Sequence, residues 1–254
     1  MENIKSIFIT GASSGLGLAL AQLYAKEGVI IGLAARRFDK LKSIKKELEI
    51  KKAKIYIYKL DVGNLSLLKK CADDFIKKIK TIDLVIANSG IGSKFHKPHY
   101  SAEEIAEIFQ TNTIGVTNTI SVFLDFMIKQ KKGQLAAIGS VAGFRALPDS
   151  GYSASKSAVH LFMSSLRLRY SFYGIKFSTI APGFIDTPFV KKHTFQMPFL
   201  LKPDKAAKLI KKALTRNKKL YIFPWQWKFI VPIVKILPDF LIRIAMKDKL
   251  TFPK

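Results

Sequence analysis

Acidic residues are scarce in this chain. Eighteen Asp and Glu stand against 43 Lys and Arg, a formal charge of +25 over 254 residues. Cysteine is nearly absent: Cys71 stands alone, so no intramolecular disulfide can form. The four histidines (His96, His99, His160 and His193) are scattered and lack cysteine partners, so no zinc-ligand spacing exists. Internal repeats, low-complexity tracts and domain linkers are all missing. No uninterrupted apolar run has spanning length. The stretch from Phe223 to Met246 is broken by Lys228, Lys235, Arg243 and three prolines. The N-terminal MENIKSIFIT shows no basic n-region and no cleavage site. The expectation is therefore no signal peptide and a cytoplasmic protein.

What is present is enough apolar material, 48%, for a substantial core, and a length that suits one large α/β domain or two small ones. Lysine outnumbers arginine 36 to 7, which reads as compositional bias and solvated surface. The charge is still uneven. Residues 191–254 carry 16 basic residues against 3 acids. That raises the prospect of phosphates or acidic lipids as partners. No nucleic-acid reader motif accompanies it, so nucleic acid is not expected.

Strand-length apolar runs alternate with amphipathic patterns. Strands are expected over 6–10, 29–34, 54–60, 82–87, 134–139, 175–180 and 219–223. Helices are expected over 13–27, 39–51, 65–79, 101–129, 150–173 and 204–215, the fourth opened by a Ser101/Glu104 capping box. The pattern predicts an α/β class: a single-domain doubly wound Rossmann fold. Its mostly parallel seven-stranded sheet would carry helices on both faces. Residues 1–223 form this domain, with a substrate lid at about 188–202. Residues 224–254 add a hydrophobic, basic C-terminal extension.

Between the first strand and its helix lies TGASSGLG, with Gly11, Gly15 and Gly17. Glycines there let the chain turn sharply and let a pyrophosphate approach backbone amides at a helix N-terminus. With this spacing the chain resembles the short-chain dehydrogenase/reductase family, whose fingerprint is T-G-x-x-x-G-x-G. The likeness runs from about Lys5 to Phe223.

The resemblance implies dinucleotide contacts at Gly11, Ser13, Ser14, Gly15, Leu16 and Gly17. It implies others at Asp61 and Val62, with Asp61 near the adenine amino group. Strand two ends Ala34-Ala35-Arg36-Arg37, where an acid would bind the ribose of NAD(H). Arg36 suits a 2′-phosphate instead, with Arg37 and Ser13 as helpers, so NADP(H) is expected over NAD(H). Some NADP-preferring relatives carry a basic residue where this chain has Ser14. The family's N-N-A-G reads Ala87-Asn88-Ser89-Gly90 here; only Asn88 and Gly90 match.

The stretch GYSASKSAVH places Tyr152 and Lys156 one helical turn apart on one face. A free phenol titrates near pH ~10, and a fixed ammonium lowers that value, making the phenol a usable acid/base. Ser140, at the end of strand five, can hydrogen-bond the same substrate oxygen. The resemblance assigns the same catalytic roles to Ser140, Tyr152 and Lys156, with Lys156 and Tyr152 also on the cofactor. It adds Asn112, which bends its helix. Ala181–Pro188 matches the family's P-G-x-x-x-T turn, placing Pro182, Gly183, Ile185 and Thr187 beside the nicotinamide.

The expected reaction interconverts a small-molecule carbonyl and alcohol. Phe144, Leu147, Phe184, Phe189, Phe195 and Phe199 are candidate pocket walls or simply aromatics packed under a loop. The extension, with both tryptophans, reads either as a surface lying in an anionic bilayer interface or as a helix pair packed on the domain or a second subunit. The membrane reading favours a lipid-like substrate. By family analogy a homo-oligomer would form through the fourth and fifth helices. The rival reading is a membrane- or protein-associated nucleotide-binding module with little turnover.

Overall fold

Residue pattern explains the sheet. In the computed structural model, which describes residues 4–92, 101–146, 150–190 and 197–245, seven strands form one parallel sheet. They are β1 (Ser6–Thr10), β2 (Ile30–Ala35), β3 (Lys54–Lys59), β4 (Leu84–Ala87), β5 (Gly133–Ile138), β6 (Ile175–Pro182) and β7 (Leu220–Phe223). The central strands are apolar on both faces because both faces are covered. Ile7 and Ile9 point into one core with Leu20, Leu33 and Leu84. Phe8, between them, points into the other, where its ring lies 4.7 Å from Phe123 and 5.4 Å from Phe75.

The order is β3-β2-β1-β4-β5-β6-β7, so the winding reverses between β1 and β4. Ligands of such sheets bind outside the strand C-termini at that reversal. Helices α1 (Gly15–Tyr24), α2 (Phe38–Glu49) and α7 (Pro203–Thr215) contribute to the first core; α3 (Leu65–Lys77), α5 (Gly115–Gln130) and α6 (Ser150–Tyr170) contribute to the second. Asn64 caps α3 by accepting from the Leu67 amide at 2.9 Å. Pro203 opens α7, where its missing N–H costs nothing.

One expected helix is not regular. The segment read as a single helix over 101–129 forms α4 (Ala102–Phe109), a widened π turn at Gln110–Ile114, and then α5. Ser101 starts it by accepting from the Glu104 amide at 3.0 Å. The π turn is centred on Asn112, whose carboxamide is committed to another backbone segment. Such turns occur where a side chain is held for a purpose. The chain after β7 forms α8 (Trp225–Ile236) and α9 (Asp239–Ala245). Among the described residues no helix is long and apolar enough to cross a membrane.

Candidate active site

The turn after β1 is built from Gly11 and Gly15, both at positive φ (66° and 56°). A β-carbon on Gly17 would lie 2.4 Å from the Gly11 carbonyl oxygen, so α1 closes directly onto the turn. Ser14 precedes α1 but makes no side-chain cap bond to its amides, and no acid sits in the first turn. The Ser14 hydroxyl instead accepts from Arg37 Nη2 at 2.5 Å, and Ser13 accepts from Arg37 Nε and Nη2 at 3.1 and 2.9 Å. Uncapped helix amides beside the Arg37 guanidinium suit a phosphate-bearing ligand. A nicotinamide dinucleotide fits this cradle.

Arg36 is half exposed, with Nη1 3.9 Å from Asp61 Oδ2. That pair is open to water and holds Arg36 only weakly. Asp61 Oδ1 accepts from the Gly63 amide at 2.9 Å, fixing the turn after β3 that includes Val62. Asn88 ties the end of β4 to that of β1: its Nδ2 donates to the carbonyls of Thr10 and Gly11 at 3.0 and 3.3 Å. The Thr10 hydroxyl accepts from the amides of Asn88 and Ser89 at 3.0 and 3.2 Å. Thr10 is the first letter of the T-G-x-x-x-G-x-G fingerprint, though no role was expected of its hydroxyl.

Asn112 is fully buried. Its Oδ1 accepts from the Ile91 amide at 2.8 Å, and its Nδ2 donates to the Ile91 carbonyl at 2.9 Å and to Ser155 Oγ at 3.1 Å. Lys156 is also buried, and its Nζ donates to the Ile138 carbonyl at 3.0 Å. A β-carbon on Gly90 would lie 3.3 Å from both Asn112 Oδ1 and Lys156 Nζ, so β4, the π turn and α6 meet there. Burial lowers the Lys156 ammonium from 10.5 to about 8. It therefore stays mainly charged at neutral pH, with Nζ 5.7 Å from the centre of the Tyr152 ring. Tyr152 is half-buried, its ring 5.6 Å from that of Phe189.

Ser140 follows β5. Its hydroxyl oxygen accepts from the Ala142 amide at 3.1 Å, and its own amide points at His160 Nε2, 3.4 Å away. His160 lies one turn beyond Lys156 on the same face of α6. In the sequence it is one of four histidines without metal partners, and its i, i+4 spacing from Lys156 is the signal that marks it. An accepting Nε2 leaves the proton on Nδ1, which is buried without a protein hydrogen-bond partner. Burial, then Lys156 and Lys235, lowers this imidazole from 6.5 to about 4, so it is neutral at physiological pH.

After β6, the Gly183 amide donates to the Phe223 carbonyl at 2.7 Å, and Pro182 ends the strand beside it. Ile185 pairs with Leu201, joining the chain before and after the segment expected to form a lid. Thr187 is buried and lies over the glycine turn; a β-carbon on Gly15 would sit 3.0 Å from its methyl group. Phe184 and Phe199 both pack on Trp227, at 6.1 and 6.2 Å between ring centres, and Phe144 packs on His160 at 4.4 Å. Leu147 and Phe195 lie outside the described residues. A separate 360 Å³ cavity, lined by Leu23, Lys208, Lys211, Lys212, Thr215 and Arg216, opens at the far end of α1 from the glycine turn. It has no part in this constellation.

The short chain dehydrogenase family model matches residues 5–197. An uncharacterized oxidoreductase of Myxococcus xanthus is 33% identical over 251 residues, covering 96% of each chain. The alcohol dehydrogenase of the archaeon Thermococcus sibiricus, complexed with 5-hydroxy-NADP, is 26% identical with a TM-score of 0.77, covering 87% of this chain and 95% of that one. A short chain dehydrogenase/reductase of Burkholderia phymatum in complex with NAD shares the fold at 23% identity and a TM-score of 0.81, covering 98% of this chain and 97% of that one. With this sheet, this glycine turn and a match spanning most of its length, the chain belongs to the short-chain dehydrogenase/reductase family of oxidoreductases.

Proposed function

We propose that this protein is an NADP(H)-dependent oxidoreductase that interconverts a carbonyl and an alcohol on an apolar or lipid-like small molecule. The observation that carries the proposal is the meeting of Lys156 and Asn112 at Gly90, one helical turn from Tyr152. When bound, the nicotinamide dinucleotide supplies or accepts the hydride. Tyr152 gives a proton to the substrate oxygen in reduction and takes it back in oxidation. The Lys156 charge favours the phenolate and so eases that transfer. Ser140 donates a hydrogen bond to the same oxygen and orients it. Asn112 holds the π turn that keeps Ile91 and α6 in register.

The preference for NADP(H) rests on Arg36, aided by Arg37 and Ser13, because an arginine fork matches a 2′-phosphate. The NADP-type ligand of the Thermococcus relative agrees with it, whereas the Burkholderia neighbour carries NAD. Gly11, Ser14, Gly15, Leu16 and Gly17 would cradle the pyrophosphate. Asp61 and Val62 would face the adenine, and Asn88 and Gly90 would line the ribose side. Pro182, Gly183, Ile185 and Thr187 would hold the carboxamide.

Residues 1–223 are proposed as the catalytic unit, with the lid at 188–202 and the extension at 224–254. Subunits would pair through the helices of 101–129 and 150–173, where Leu161, Leu168 and Phe172 are exposed. The proposed location is the cytoplasm, including the inner face of its membrane.

The test is NADPH binding by fluorescence, followed by NADPH oxidation across a broad panel of carbonyls. Binding with turnover supports the proposal. Binding without turnover on any carbonyl selects the nucleotide-binding module instead. No NADPH binding rejects both.

A further inference from the structure

The solvent side of the C-terminal helix pair is apolar. On α8, Trp225, Phe229, Ile233 and Ile236 recur at spacings of three and four, which sets them on one side of the helix. They are 68%, 62%, 57% and 82% exposed. Phe240 and Ile244 of α9 are also exposed. The opposite side of α8 is already used. Val231 is buried there, and the Trp227 indole packs so tightly that a β-carbon on Gly183 would lie 2.2 Å from its Nε1. The fold thus needs one side of α8 and leaves another, just as apolar, in water. A contiguous apolar surface of this kind marks a contact site.

Charge identifies what covers it. Lys228 borders the apolar side, Arg243 follows on α9, and Lys235 holds its ammonium 5.8 Å from the centre of the Phe144 ring. The single acid of 225–245, Asp239, is engaged by Arg145. A second copy seated across a two-fold axis would bring these same cations together, which opposes self-association. A bilayer with anionic headgroups uses both features: the rings and branched chains enter the acyl boundary while Lys228 and Arg243 reach phosphates. The twelve residues of α8 extend about 18 Å, well short of a ~30 Å hydrocarbon core, so the helix lies on the surface.

We propose that α8 and α9 dock this protein on an anionic bilayer surface through the Trp225, Phe229, Ile233 and Ile236 side. Docking does not depend on the redox reading. Its consequence for substrate does: Trp227 links α8 to Phe184 and Phe199, so a docked α8 holds the proposed pocket about one helix diameter from the lipid.

The test is co-sedimentation of the full chain with phosphatidylglycerol vesicles and with phosphatidylcholine vesicles. It compares wild type with the charge-neutral double variant Phe229→Ser/Ile236→Ser. Both positions are exposed, so the variant keeps its melting temperature and its NADPH binding. Wild type is expected to pellet with phosphatidylglycerol, and the variant to partition at least about tenfold more weakly. Quenching of Trp emission by brominated phosphatidylglycerol should fall sharply in Trp225→Phe. Equal pelleting of wild type and variant would mean adsorption by net charge alone and would overturn the proposal. So would no pelleting at all. A wild-type dimer that the double variant dissolves, without vesicle binding, would make the face a self-contact. None of these outcomes bears on carbonyl reduction, which the NADPH assay reads separately.

Discussion

The imidazole of His160 stands where a side chain on Gly139 would begin, 2.3 Å from that β-carbon position, and its Nε2 faces the Ser140 amide at 3.4 Å. The strand end that carries Ser140 is thereby pinned to α6, which carries Tyr152 and Lys156. His160 touches this strand end and would act, in the proposed reaction, as a positioning residue.

Replacing His160 with Leu should lower kcat about tenfold on a carbonyl identified by the panel and leave the KM for NADPH within about twofold. His160→Gln keeps an acceptor for the Ser140 amide and should recover most of the loss. Equal kcat in wild type and His160→Leu would remove the positioning role.

The same residue gives an acid-side signature. Its folded value is about 4 against an ordinary 6.5, so within that window the unfolded chain binds a proton that the folded chain refuses. Stability should therefore fall as pH drops from 6.5 toward 4. Urea midpoints across this range should slope less in His160→Gln than in wild type.

Lys156 works in the opposite pH region. Its folded value of about 8 lies under the ordinary 10.5, so the unfolded chain binds more protons between these values and stability should rise with pH there. Below pH 8 the buried cation is held at a cost. Lys156→Met should abolish turnover, melt no lower than wild type at pH 7 and lose the alkaline gain. A clear drop in melting temperature would show that the amine stabilises the fold.

Tyr152→Phe should keep NADPH affinity within about twofold and cut turnover by about 10²- to 10⁴-fold. Stopped-flow binding and steady-state assays on one preparation separate the two effects.

Arg36→Ala should weaken NADPH by at least about tenfold and NADH by less than about twofold. Calorimetric titration of both cofactors decides it, since equal losses would move the 2′-phosphate elsewhere. Arg37→Ala provides the contrast, because its guanidinium also braces Ser13 and Ser14.

Much of this fold could be read from residue pattern. SIFIT is apolar at its three central positions and IIGLAA throughout because β1 and β2 are covered on both faces, and strand length followed. Helix ends were less legible. Gly15 starts α1 two residues later than expected, since Ser13 belongs to the turn and Ser14 is extended, both hydroxyls accepting from Arg37. The π turn was invisible to periodicity, because its cause is a tertiary bond from Asn112 to Ile91. Tyr152 and Lys156 stood out because their spacing coincides with Ser140 at a strand end, the glycine turn and Asn112, since the spacing by itself is common. His160 did not, and neither did the role of the Thr10 hydroxyl, since their partners, Ser140 and Asn88, are distant in sequence. The helices after Phe223 had no clear inner side in the sequence because α8 is apolar almost all round, and only packing of Trp227 and Val231 distinguishes one side.

The widened turn at Gln110–Ile114 takes up one residue more than a regular helical turn would. Deleting that residue would let α4 and α5 run on as one regular helix. Val116, Ile120, Phe123 and Met127 would keep their places against the sheet, while Asn112 lost its bonds to Ile91. The extra residue is thus spent on the segment after β4 and not on the core.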